Sequence, residues 1–189
     1  MENDESLILA YKNGEVEKFG LLYDKYIKKI YNYVFYQTRH KETAEDLVSL
    51  TFFKALEKID SYKIGSNNFS AWLYKIAKNN VIDHYRKNKI NVNIDDLWGL
   101  GEEPIVEIDY DTKIKLYEVK KQLDKFKPEQ KEVIILRVWQ GLSYKEIAEI
   151  TGKSESGCKM VFLRAISLLR NDLQLTIIFL LIKISLHNK

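Results

Sequence analysis

Apolar positions recur every three or four residues along most of the chain, the spacing of amphipathic helices. In residues 5–37 the series runs Leu7, Leu9 and Ala10, then Phe19, Leu22, Tyr23 and Tyr26, then Ile30, Tyr33 and Val34. Gly14 interrupts it and predicts a short first helix followed by a longer second one. The next predicted helix, 43–59, opens on Thr43 as its cap, with Asp46 three residues on as a loose capping box. Its expected buried set is Leu47, Leu50, Phe53 and Leu56–Ile59. The polar stretch "DSYKIGSNN" reads as a loop, and Ser70 begins a helix reaching about Lys87.

Between 91 and 111 the periodicity fails. This segment holds two glycines, one of the two prolines and seven carboxylates, with no Lys or Arg. It reads as an acidic linker, partly extended, whose Leu97, Trp98, Leu100, Ile105 and Val106 suit docking. A second helical series starts near Thr112, with a first helix to about Lys125. Pro128 suits the first turn of the next, beside Glu129, and Gly141 is its expected stop after Val133, Ile134, Leu136, Arg137 and Trp139. "SYKE", Ser143–Glu146, is a capping box for a third helix that Gly152 ends, and Ser154 caps a fourth over 155–170. No alternation of strand type is present. The expected fold class is all-α: two small helical domains, 1–90 and 112–172, joined by the acidic linker 91–111, the second containing a helix-turn-helix, with an apolar tail at 173–189.

Charge sharpens this division. The net charge is +3, distributed as +3 over residues 1–90, −7 over 91–111 and +7 over 112–189. Cys158 is the only cysteine, so no intrachain disulfide is possible, and His40, His84 and His187 have no metal-ligand spacing. No metal and no cofactor is expected. No glycine-rich phosphate loop or nucleophile–base pair points to an enzyme. The acidic start "MENDES" is the opposite of a secretory leader, and a cytoplasmic location is expected. The apolar part of the tail, Leu175–Ile182, is too short to span a bilayer. It is open to packing in a groove, binding an inhibitor protein or touching a membrane, so any membrane contact is indirect.

Three windows carry candidate chemistry. In "LSYKEIAEITGKSESGCKM", Ala148 and Gly152 allow two helices to cross closely and Cys158 falls at a small buried position, as in a helix-turn-helix. Any αα-hairpin would share those features. "FSAWLYKIAKNNVIDHYRKNK" puts Leu73, Ile76, Ala77, Asn80 and Val81 on one face and Lys75, Lys78, Asn79, Ile82 and Arg86 toward the other, with Trp72, Tyr74 and Tyr85 interleaved. Cations hold phosphates and aromatic faces stack on bases, although a solvated basic face over an aromatic core reads the same way. In "AEDLVSLTFFKALEKI", Glu45 and Asp46 sit near the helix start, and adjacent Phe52 and Phe53 must point in different directions, one of them outward.

Together these windows, in this order and with the acidic segment between them, resemble the extracytoplasmic-function (ECF) class of bacterial RNA polymerase sigma factors. The resemblance covers about residues 5–170. It implies that "AEDLVSLTFFKALEKI" binds core polymerase through Asp46, Leu47, Ser49, Leu50, Phe52 and Phe53. It implies that "SYKIGSNNF" and the following helix melt and read the minus-ten promoter element. The residues concerned are Asn67, Asn68, Phe69, Trp72, Lys75, Lys78, Asn79, Arg86 and Lys87, with Phe69 open to a core role instead. "KPEQKEVIILRVWQGLSYKEIAEITGKSES" with "LRAISLLR" is similar to the reader of the minus-thirty-five element, which implies contacts from Ser154, Glu155, Ser156, Lys159 and Arg164.

The same resemblance implies core polymerase, promoter DNA and an anti-sigma inhibitor as partners. For the acidic linker it leaves open a mimic of RNA phosphate and a solubilising spacer. The last helix departs from the family pattern at Gly157, Cys158, Lys159, Met160 and Val161, where threonine or serine, valine, lysine and a downstream arginine are usual. A stand-alone helix-turn-helix repressor or activator is the alternative reading, and it leaves Ala44–Lys89 without a purpose.

Overall fold

The computed structural model describes residues 3–38, 40–65, 68–88 and 126–170, with the backbone alone for 88 and 168–170. Asn67, the acidic segment 91–111, the expected helix 112–125 and the tail 173–189 lie outside these residues. The described residues are helical throughout apart from turns and loops, as the all-α reading expects. They fall into two compact units.

The first unit holds α1 (Asp4–Lys12), α2 (Lys18–Thr38), α3 (Lys41–Lys58) and α4 (Phe69–Asn88), with one 3-10 turn, Ile59–Ser61, after α3. Gly14, at φ 102°, makes the break between α1 and α2 that a side-chain-bearing residue would strain to make. Asn3 Oδ1 accepts the Ser6 N–H at 2.7 Å and starts α1. Asp4 then fastens α1 to α2 by pairing with Lys25 and accepting the Tyr26 phenol. Burial first, and the Asp4 carboxylate second, hold that phenol well above its ordinary range, so it stays a donor. At the other end of α1, Lys12 Nζ donates to the carbonyls of Asp60 at 2.9 Å and Tyr62 at 2.7 Å, satisfying the turn that ends α3.

α2 packs against α1, α3 and α4, and α3 packs against α4. The core between them is Leu22, Ile30, Tyr33, Val34 and Phe35 from α2, Ala44, Val48 and Phe52 from α3, and Leu73, Tyr74 and Ala77 from α4. Tyr33 and Tyr74 meet edge to face across it, ring centroids 5.3 Å apart.

Three details of this unit correct the sequence reading. α3 starts at Lys41, and its cap is His40, whose Nδ1 accepts the Thr43 N–H at 3.3 Å; Thr43 lies inside the first turn and its hydroxyl is held by the same ring. Leu50, Phe53 and Leu56 do not join the core, being 39%, 58% and 41% exposed, while Phe52, Val48, Thr51 and Ala55 do. α3 carries apolar residues all round, so spacing alone does not choose a face. Contact with α2 chooses it, through Phe52 against Tyr23 at 4.7 Å. α4 starts at Phe69, not Ser70, because Asn68 Oδ1 accepts the Ser70 N–H at 2.8 Å and caps the helix.

The described residues 126–170 hold α5 (Pro128–Ile134), which runs on as a π-helical turn, Ile135–Trp139, then α6 (Tyr144–Thr151) and α7 (Glu155–Arg170). Pro128 is in the first turn of α5, and Gly141 and Gly152, at φ 68° and 73°, make the turns on either side of α6. Ser143 and Glu146 form the expected capping box: the Ser143 N–H donates to Glu146 Oε2 at 2.7 Å and the Glu146 N–H to Ser143 Oγ at 3.2 Å. α7 packs on α5 around Phe126, Ile134 and Ala165, with Val138, Trp139, Phe162 and Ile166 at the margin. Arg137 braces the turn into α6 by donating to the Leu142 carbonyl at 2.7 Å while lying over the Tyr144 ring. Lys153 pairs with Glu129 at 2.9 Å, and that hydrogen bond raises the lysine pKa.

Candidate nucleic-acid interface

The basic face of α4 forms as the spacing predicts. Asn68, Trp72, Lys75, Asn79 and Arg86 recur at intervals of three, four or seven residues and share one side of the helix. Asn68, Lys75, Asn79, Arg86 and Lys87 are exposed, and Lys78 and Trp72 are half-buried. Arg86 is tied to Asp83 at 3.1 Å, an exposed pair that contributes little to stability but holds the guanidinium near the helix surface. Ile82 lies on the same side, 49% exposed, between Asn79 and Arg86. Its position on this face was legible in the spacing, but an apolar side chain was not counted among the site residues.

Phe69 is not part of this face. It is 3% exposed and touches Tyr26, Tyr62 and Trp72, with ring centroids 5.7, 5.7 and 5.5 Å away. Of the two roles the sequence leaves open for it, the structure supports the core role. Trp72 closes the same cluster, its ring 5.2 Å from that of Tyr62, and keeps part of its surface in solvent.

On α3, Asp46, Ser49, Leu50 and Phe53 are exposed and run along one stripe with Leu56 and Glu57. Leu47 and Phe52, both 6% exposed, belong to the core and present little surface to a partner. The two helices are joined by a polar tie that periodicity did not reveal. Asn80 is 2% exposed; its amide donates to Thr51 Oγ1 at 3.0 Å and accepts from Lys54 Nζ at 2.6 Å. Thr51 in turn donates to the Leu47 carbonyl at 2.6 Å. An unpartnered amide at this depth would cost about 1–3 kcal/mol, so the tie helps set the register of α3 on α4. Nearby, burial pushes the His84 imidazole below its ordinary pKa while the Asp46 carboxylate opposes the shift.

On α7, Ser154, Glu155, Ser156, Lys159 and Arg164 are all exposed, as the sequence reading requires. Cys158 is fully buried. Ser154 Oγ accepts the Gly157 N–H at 3.0 Å and caps the helix. A Cβ on residue 157 would sit 2.9 Å from that same oxygen, the end of a rotatable side chain that a small turn about χ1 moves clear. The Ser143 cap accommodates a side chain at the matching position, Glu146. Gly157→Ala should therefore stabilise the protein by about 1 kcal/mol, read by urea denaturation. An unchanged midpoint would show that the added methyl group disrupts the Ser154 cap. Met160 and Leu163, 47% and 49% exposed, also face outward on α7 and were not among the expected contacts.

Among the described residues no helix is long and apolar enough to cross a membrane, and no group of His, Cys, Asp or Glu is placed to hold a metal ion.

Comparisons with known proteins agree with this layout. Residues 22–90 match the family described as Sigma-70 region 2, and residues 116–169 match the one described as Sigma-70, region 4. The RNA polymerase sigma factor YlaC of Bacillus subtilis is 36% identical over 151 residues, which cover 76% of this chain and 85% of that one. The ECF RNA polymerase sigma factor BldN of Streptomyces coelicolor is 35% identical over 163 residues, 85% of this chain, and the match spans 62% of that relative's length. Among solved structures, the sigma factor RpoE from Bartonella quintana, in a co-crystal with the anti-sigma factor NepR, superposes with a TM-score of 0.68 at 29% identity, covering 84% of this chain and 98% of that one.

Proposed function

The chain belongs to the ECF sigma factors of bacterial RNA polymerase, and we propose that it holds core polymerase and promoter DNA through the three surfaces described above. As a sigma factor it selects promoters and leaves catalysis to the polymerase. α3 offers the polymerase contact through Asp46, Ser49, Leu50 and Phe53. α4 offers the minus-ten contact: Lys75, Lys78, Arg86 and Lys87 hold the backbone of the unpaired strand, while Asn68, Asn79 and the free part of Trp72 meet its bases. α7 offers the minus-thirty-five contact through Ser154, Glu155, Ser156, Lys159 and Arg164 in the major groove.

The observation that carries this reading is the apolar row Leu50–Phe53–Leu56, left exposed on the same helix that buries Phe52. A helix serving only the core would bury such a row; a helix awaiting a partner leaves it out. The acidic segment 91–111 connects the two domains, 1–90 and 112–172, and the two family matches, 22–90 and 116–169, fall one within each. A cytoplasmic location follows from the polymerase as partner. An anti-sigma protein, the kind of partner found with the Bartonella quintana relative, is proposed as the inhibitor that covers these surfaces.

The test is reconstitution with core polymerase on a random promoter library, with sequencing of the transcripts. Promoter-specific starts support the reading, and failure to bind core or to direct starts removes it. On single-stranded minus-ten DNA, Lys75→Ala and Lys78→Ala should each reduce the slope of log affinity against log salt by about 0.7. An unchanged slope would move the backbone contact elsewhere.

A further inference from the structure

The outward side of α7 is ordered in a way that phosphate binding does not require. At about 100° per residue, Ser156, Met160, Leu163 and Ser167 fall in a stripe roughly 60° wide. All four are exposed. Lys159 and Arg164, also exposed, flank this stripe on opposite sides. The reverse side of the helix is the packed one, with Cys158 and Ala165 fully buried and Phe162 and Ile166 against the core. α7 therefore has a complete apolar face already, and Met160 and Leu163 are additional to it. Two large apolar side chains at the centre of an exposed face, between two cations, need an occupant that is charged at its edges and apolar in the middle.

The major groove of duplex DNA has that character. It is about 12 Å wide, with phosphates along both walls. A helix lying in it directs its flanking cations to the walls and its central stripe to the base edges. The apolar feature on those edges is the C5-methyl group of thymine. A flexible thioether and a branched aliphatic chain suit that group, and neither supplies a strong hydrogen bond to any other base. We propose that Met160 and Leu163 read thymine methyl groups in the upstream promoter element, making methyl contact a determinant of this protein's promoter choice. The proposal rests on α7 docking in the major groove, as described under the proposed function.

The experiment uses holoenzyme, reconstituted with core polymerase, on promoter duplexes that the holoenzyme itself selects from a library randomised in the upstream element. Each thymine of that element is replaced in turn by deoxyuridine, which lacks only the methyl group. Affinity should fall about fourfold per methyl lost at one or two positions. Met160→Ala or Leu163→Ala should erase the loss at its own position, with an unchanged melting temperature. Indifference to deoxyuridine at every position overturns the proposal, as does a loss that persists in the double variant. It is equally overturned if these variants weaken binding to core polymerase without DNA, since a protein would then cover the stripe. Lys159→Ala separates the proposal from its premise. If that change weakens binding to every duplex while deoxyuridine is neutral, α7 docks but does not read methyl groups. If both are neutral, the docking itself fails.

Discussion

Phe53→Ala should lower affinity for core polymerase by about 2 kcal/mol, roughly thirtyfold, and leave the melting temperature of the free protein unchanged. Its neighbour should behave in the opposite way. Phe52→Ala should destabilise the first unit by about 3–5 kcal/mol, with any loss of polymerase binding following from unfolding. The contrast comes from one helical step of about 100°, which leaves Phe53 58% exposed and Phe52 6% exposed against Tyr23. Thermal melts of both variants, with binding to labelled core polymerase measured well below their transitions, check the pair together. Equal binding by Phe53→Ala and wild type would remove α3 from the polymerase interface.

The second large effect is expected at Phe69. Three aromatic rings, those of Tyr26, Tyr62 and Trp72, pack on it within 6 Å between centroids. Phe69→Ala opens a cavity among them and should cost about 3–5 kcal/mol, a large share of the 5–15 kcal/mol typical of a whole domain. Phe69→Leu keeps most of the volume, and promoter melting by holoenzyme should then stay near wild type. If Phe69→Leu folds normally yet fails to open promoters, the ring has a role on DNA after all, and its buried position changes on binding.

Much of the architecture was legible without coordinates, and for local reasons. Gly14, Gly141 and Gly152 each mark a turn because their positive φ is available to glycine at no steric cost. Ser143, Glu146 and Ser154 announce helix starts because their side chains reach backbone groups three residues away. The basic face of α4 was readable in the spacing too, with Ile82 interrupting it and Asn80 buried on the other side. Two caps were missed, the uncommon His40 and the ordinary Asn68, each near a Ser or Thr that could have served. His40 and Asn68 displaced Thr43 and Ser70 because the loop before each helix presents their side chains to the first turn.

The sequence by itself determined that the described residues are helical and where most of those helices break, because helix periods and caps depend on neighbours within a few residues. Only the tertiary structure decided between Phe52 and Phe53, assigned Phe69 to the core, paired Asn80 with Thr51 and Lys54, and left Met160 and Leu163 outside. Each of those outcomes depends on which other helix lies against the residue. The spacing of apolar residues along one helix records that a face is buried, but the choice between two such faces is made by the element that packs there.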